Sequence, residues 1–238
     1  MSSKIYNSAY YSLIIQLIIS VTTLVASGYL LNTKSLIENE LLKSILTLEM
    51  IVQTVEFLFY VWLLSSFPWT YEVTKIRYLD WFITTPAMLM VVILFLRYNE
   101  NKNKNKDNDK VREIINKNKK PLAIIFISNF LMLIFGLLGE TKHLSRPTSF
   151  TLGMISFFVC FGTLYKTFIG TQKLSKSLFY VTFVLWSLYG AASLAPYVTK
   201  NISYNILDLF SKNINGLFII SYILFGIKLN LDKSIINI

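Results

Sequence analysis

One cysteine, one histidine and five prolines in a chain of 238 residues leave several common devices out of reach. The lone Cys160 lies inside an apolar run, so there is no disulfide framework, and no Cys/His set has metal-ligand spacing. Acidic side chains are few, 13 against 23 Lys+Arg. No stretch repeats with the period of a solenoid. Extended polar sequence is almost missing too, which argues against a large soluble enzyme.

What is abundant is apolar. The chain is 54% hydrophobic with a mean hydropathy of +0.53. Seven apolar blocks, roughly 9–31, 41–66, 72–97, 121–139, 148–170, 176–197 and 203–229, are separated by short polar loops. Blocks of about twenty apolar residues cross a bilayer core of about 30 Å as helices. Backbone polar groups in hydrocarbon must be bonded within their own element, and short connections force up-down neighbours. The expectation is an all-α membrane protein, a seven-transmembrane helix bundle forming a single domain over 1–238. Lys4 precedes the first block without a short apolar core and small-residue cleavage site, so that block reads as a retained helix.

The one long polar stretch, RYNENKNKNKDNDKVREIINKNKK, holds nine Lys/Arg against four acids and covers the 98–120 loop. Such a patch could meet nucleic acid or anionic lipid, but a topology signal in a disordered Asn/Lys-rich linker is the plainer reading. The positive-inside rule makes it cytoplasmic, with the N-terminus outside and the C-terminus cytoplasmic. The Asn201-Ile202-Ser203 sequon falls at the membrane edge and is assigned no role.

Ionisable residues inside membrane helices cost a few kcal/mol each and usually face the bundle interior. Here they are Glu49 and Glu56 in the second block, Arg77 and Asp80 in the third, Asp208 and Lys212 in the seventh. Asp208 and Lys212 lie about 40° apart around a helix. They suit either an internal ion pair or a lysine that takes a carbonyl cofactor as a Schiff base stabilised by carboxylates. Arg77, Asp80, Thr84, Met88 and Val91 form one stripe at helical spacing, so Arg77 and Asp80 could join that cluster. Pro86 removes one helical bond, and Thr84 and Thr85 can satisfy freed backbone groups.

The third block carries R-Y-x-D-W-x-x-T-T-P at Arg77, Tyr78, Asp80, Trp81, Thr84, Thr85 and Pro86; the seventh carries D-x-x-x-K at Asp208 and Lys212. Trp186 and Tyr189 form W-x-x-Y in the sixth; Asn129, Met132, Gly136 and Gly139 mark the fourth. On these motifs the chain resembles a microbial (type 1) rhodopsin across all seven blocks. The resemblance implies all-trans retinal bound covalently to Lys212, with Asp80 and Asp208 as counterions. It implies a pocket of Arg77, Tyr78, Trp81, Thr84, Thr85, Met88, Asn129, Met132, Gly136, Ser156, Phe157, Cys160, Trp186, Tyr189, Gly190, Ser193 and Ser211. Gly190 replaces the family's usual proline, and Gly153 and Ser193 stand where proton pumps tend to have tryptophans.

An outward pump of this family has a proton donor eleven residues after the counterion, about 16 Å further along the helix. That position is Val91, which carries no proton, and LAPYVTKNISYN at the outer ends of the last two blocks holds no acid. Glu49, Gln53 and Glu56 instead make one polar stripe in an otherwise apolar helix. Two acids and an amide in file suit a hydrated path favouring cations. This file, with D-L-x-S-K-N-x-x-G from Asp208 to Gly216, resembles channelrhodopsins. Asn213 is the part pumps usually lack, while Thr85 and Asn129 stand where the algal channels have a cysteine and aspartate gate.

Compactness and these motifs are most similar to the group 1 viral rhodopsins (viral channelrhodopsins) of giant viruses infecting algae and protists. That implies a light-gated channel and not an enzyme, passing sodium, potassium or protons through Glu49, Gln53, Glu56, Arg77 and Asn213. It implies calcium as an inhibitor held by Glu49, Glu56 or Glu72, no nucleic-acid partner, and a multi-pass protein of the host membrane. Relatives on this fold associate into homo-oligomers. An outward proton pump and a sensory photoreceptor are the alternatives.

Overall fold

The computed structural model describes residues 3–33, 39–66, 72–104 and 110–236. These form α1 (Ser3–Leu31), α2 (Glu40–Ser65), α3 (Val73–Asn103), α4 (Val111–Lys117), α5 (Lys119–Glu140), α6 (Arg146–Phe168), α7 (Lys173–Ser193) and α8 (Tyr197–Asp208). A π turn, Leu209–Ile214, then joins α8 to α9 (Asn215–Ile236), so the last rod is continuous.

Local chemistry sets the ends. The Asn39 side chain accepts from the Leu42 amide at 3.2 Å and starts α2, and the Ser145 hydroxyl accepts from the Thr148 amide at 3.3 Å and starts α6, with Pro147 in its first turn. Both are helix N-caps that satisfy amides with no partner inside the helix. Lys142, at φ 64°, reverses the chain between α5 and α6. Pro86 sits inside α3 without breaking it. Thr84 and Thr85 donate back to the carbonyls of Asp80 and Trp81 at 3.0 and 2.8 Å.

Among the described residues six helices are long and apolar enough to cross a membrane: Ser3–Leu31, Glu40–Ser65, Val73–Lys102, Lys119–Glu140, Arg146–Phe168 and Tyr197–Gly226. The expected span at 176–197 forms α7 but does not reach that measure, because Lys173, Ser175, Lys176 and Ser177 open it. The 98–120 stretch departs from expectation as well. α3 runs on to Asn103, α4 occupies Val111–Lys117 and α5 begins at Lys119, so the basic stretch is largely helical; 105–109 lie outside the described residues. Glu100 to Lys104 and Glu113 to Lys117 pairs, four residues apart, support those turns.

The outside of the bundle is apolar. Val25, Leu58, Leu79, Ile127 and Phe158 are more than half exposed, while Arg77, Asp80, Asp208, Lys212, Glu49 and Glu56 are buried. Apolar outside and polar inside is the arrangement a lipid solvent selects. α3 is central: residues 88–96 are nearly all buried and join Phe157, Phe161, Phe179 and Trp186 in the main apolar cluster.

Candidate functional site

α3 and the π turn converge on Lys212. Its Nζ lies 2.5 Å from Oδ2 of Asp80 and 3.4 Å from Oδ1 of Asp208. Asp208 also accepts from Arg77 Nη1 at 2.8 Å, from the Tyr60 hydroxyl at 2.9 Å and from the Tyr189 hydroxyl at 2.8 Å. Arg77 donates further to the Asn205 amide oxygen, and its guanidinium lies 5.4 Å from the centre of the Phe59 ring. Two cations and two carboxylates thus form a formally neutral buried cluster. Pairing of this kind offsets the several kcal/mol that each isolated ion would cost. The Tyr189 hydroxyl, 2.8 Å from Ser211 Oγ, ties α7 to the π turn. Tyr60 and Asn205 complete the cluster although no charge in the sequence marks them.

The π turn carries Lys212 itself. Such turns, with bonds to the fifth residue, open the helix backbone and recur at functional sites. Gln53 Nε2 donates to the Lys212 carbonyl at 3.2 Å, while Gln53 Oε1 accepts from Asn213 Nδ2 at 2.7 Å and from Ser20 Oγ at 3.2 Å. Gly216 makes this approach feasible: a Cβ there would stand 2.5 Å from Glu49 Oε2 and 2.7 Å from Gln53 Nε2.

α1 faces α2 with a second polar stripe that the charge-based reading of the sequence passed over. Ser12, Gln16, Ser20, Thr23 and Ser27 are all buried, at spacings of four, four, three and four. Ser12 Oγ donates to the Asn205 carbonyl at 3.3 Å. Both amide atoms of Gln16 and both carboxylate oxygens of Glu56 are buried without a hydrogen-bond partner among the described residues. Glu56 interacts electrostatically with Lys212, Asp208, Asp80 and Arg77, which links this file to the charged cluster.

On the other side of Lys212 lies a cavity of about 750 Å³. Tyr78, Trp81, Thr85, Met88, Met132, Gly136, Phe157, Trp186, Tyr189, Gly190, Ser193 and Ser211 line it. Two expected lining residues, Ser156 and Cys160, do not: Ser156 Oγ turns to its own helix, donating to the Leu152 carbonyl at 2.9 Å, and Cys160 packs in the apolar core. Arg77, Thr84 and Asn129 are also off the lining; Arg77 turns to Asp208, and Asn129 Nδ2 donates to Thr85 Oγ1 at 2.9 Å, joining α5 to α3. The sequon asparagine, Asn201, is fully buried and bonded to Thr74 and the Tyr197 carbonyl. Among the described residues no group of three or more His, Cys, Asp or Glu could hold a metal ion, and Glu72 is bonded to Lys75 at 2.6 Å.

A buried amine flanked by two carboxylates thus stands at the apolar end of a long cavity. Residues 9–225 match the bacteriorhodopsin-like protein family, and the chain belongs to it. Among solved structures it is similar to viral rhodopsin OLPVRII, with 30% identity over 92% of this chain and 97% of that one and a TM-score of 0.79. The fold is also that of a blue light-absorbing proteorhodopsin from Med12 (21% identity, 94% and 98% coverage, TM-score 0.71). Halorhodopsin, a light-driven chloride pump, shares it as well (15% identity, 96% and 98% coverage, TM-score 0.71). No curated protein sequence matches the chain. It is a multi-pass membrane protein of the microbial rhodopsins, close to the viral ones, and this family carries a retinal chromophore on a lysine.

The residues present fit that group. The cavity falls within the range of small-molecule sites, about 300–1,000 Å³. Its walls near Lys212 are aromatic and thioether side chains, Trp81, Trp186, Phe157, Met88 and Met132. Gly190 keeps its wall thin, since a Cβ there would lie 2.9 Å from the Met154 sulfur.

Proposed function

We propose that the protein is a light-gated cation channel in which Lys212 holds all-trans retinal and the interface of α1, α2 and the π turn supplies the ion path. The observation that carries this reading is the buried polar file of Glu49, Gln53, Glu56, Ser12, Gln16, Ser20 and Asn213. Buried polar groups require partners, and water or a passing cation is the partner that Glu56 and Gln16 can take. When bound, the chromophore supplies a light-driven change of shape and charge at Nζ of Lys212. Asp80, 2.5 Å away, is placed to receive a proton at Oδ2. Arg77, Tyr60 and Tyr189 hold Asp208 fixed with three donors. A proton moved from Nζ of Lys212 onto Asp80 leaves the cluster neutral overall but removes both charges of that ion pair, and with them the attraction that holds Lys212 to α3. Gln53, which grips the Lys212 carbonyl, Asn213 and Ser20 together, passes that change into the file.

α7 is the sixth of seven spans in chain order, and the basic 98–120 stretch lies on the cytoplasmic side, which puts the N-terminus outside. Sodium, potassium and protons are the candidate ions, and calcium would block by binding the Glu49 and Glu56 carboxylates.

The second reading is an outward proton pump. The Lys212 to Asp80 contact favours it, being enough for one proton transfer. Val91 opposes it: buried in the apolar cluster with Leu94 and Phe95, it offers nothing to return the proton.

Whole-cell photocurrent against holding voltage, with sodium and then calcium outside, tests the choice. A current that reverses near the cation equilibrium potential is expected, with loss in calcium if divalent block holds. Outward current without reversal establishes the pump, and no current from a protein that still bleaches in light leaves a sensor.

A further inference from the structure

The cavity does not end at the apolar walls around Lys212. It continues to the end of the bundle opposite the basic stretch, where Glu72 just before α3, Lys75 in its first turn, the α5–α6 turn, and Tyr197 and Lys200 of α8 line it. The inner part is aromatic and the outer part is charged. Besides the local Glu72–Lys75 pair, an ion pair between two helices runs across the outer part. Lys200 Nζ lies 2.5 and 2.7 Å from the two carboxylate oxygens of Glu140. The Lys200 side chain is 3% exposed and that of Glu140 18%, so the pair spans the mouth with little contact with solvent. It joins α5 to α8 through residues sixty positions apart, and neither takes part in the cluster around Lys212.

We propose that this mouth is the portal by which retinal and small nucleophiles reach Lys212, and that the Glu140–Lys200 pair is its latch. Three features bear on it. The passage is continuous from Lys200 to Lys212 in a single cavity. The pair is a bidentate contact between rods that are not consecutive, so its rupture frees α5 from α8 without breaking a helix. Small side chains leave the passage clear along its length: Gly153 has nothing nearer than the Met132 carbonyl, 3.9 Å from a Cβ placed on it, and Ser193 folds back onto the Gly190 carbonyl at 2.6 Å. A buried pair with one partner removed leaves an uncompensated charge that draws in water, so either truncation opens the mouth. The inference rests on Lys212 carrying the chromophore and is independent of the channel reading, so a failed photocurrent leaves it standing.

The test is the rate of dark bleaching by hydroxylamine in the purified pigment, followed by the loss of its visible band, together with the rate at which retinal restores that band to bleached protein. Glu140→Gln and Lys200→Met should each raise both rates by an order of magnitude or more without moving the absorption maximum. The double variant Glu140→Lys with Lys200→Glu should return them toward the parent. Gly153→Leu, which fills the passage and leaves the pair intact, should slow both. Unchanged rates in the two single variants overturn the latch. If those variants do not fold, unchanged rates in Gly153→Leu overturn the portal.

Discussion

The two sides of Lys212 handle charge in opposite ways. Toward α3 and α8, every ionised group has a named partner: Lys212 with Asp80, Arg77 with Asp208, and Asp208 with two tyrosine hydroxyls besides. Toward α1 and α2, Gln53 is fully engaged, while Glu56 and Gln16 have no hydrogen-bond partner among the described residues. A paired cluster is rigid, since each member is held from several directions, whereas an unpaired file responds to whatever occupies it. In this protein the rigid half fits holding a chromophore, and the responsive half fits conducting.

The comparison breaks most visibly if the rigid half is cut. Arg77→Gln leaves Asp208 with two neutral donors and the longer contact to Lys212 at 3.4 Å, and should cost about 3–5 kcal/mol, the usual penalty for stripping one partner from a buried ion pair. Thermal loss of the visible band would show it as a large fall in Tm. A smaller loss follows from Gly216→Ala, whose new methyl meets Glu49 and Gln53. Overpacking of this kind costs about 1–3 kcal/mol, and the photocurrent should fall because Gln53 releases the Lys212 carbonyl. The smallest stability effect is expected at Glu56→Gln, which removes an unpartnered carboxylate. Tm should hold or rise slightly, while the relative permeability to sodium and protons changes several-fold. A Tm drop in Glu56→Gln matching that of Arg77→Gln would show that the two halves do not differ. Unchanged current in both Glu49→Gln and Glu56→Gln would remove α2 from the path.

Much of this was legible from residue type. Arg77, Asp80, Asp208 and Lys212 stand out because charges in apolar runs are rare, and their spacing puts them on facing stripes. Tyr60 and Asn205 gave no such signal; a neutral polar residue or an aromatic in a membrane helix is ordinary until its neighbour is known. The α1 stripe was readable in principle, since Ser12, Gln16, Ser20, Thr23 and Ser27 keep helical period, but serine and threonine are tolerated on any helix face. Glu140 and Lys200 lie in different helices, and sequence spacing says nothing about pairs of that kind. The helical course of the basic stretch depends on pairs four residues apart, which block-by-block hydropathy does not weigh.

The π turn has a practical consequence for anyone splicing this protein with a relative. Widening one turn by a residue offsets everything after it by about 100° relative to an unbroken α-helix. The inward face of α9 therefore cannot be found by counting forward from Asp208 in steps of three and four. A chimera seam placed between Leu209 and Ile214, joined to a helix without such a turn, would rotate the following helix out of register. Seams set before Asp208 or after Gly216 carry the wide turn across whole and keep Gly216 against Glu49.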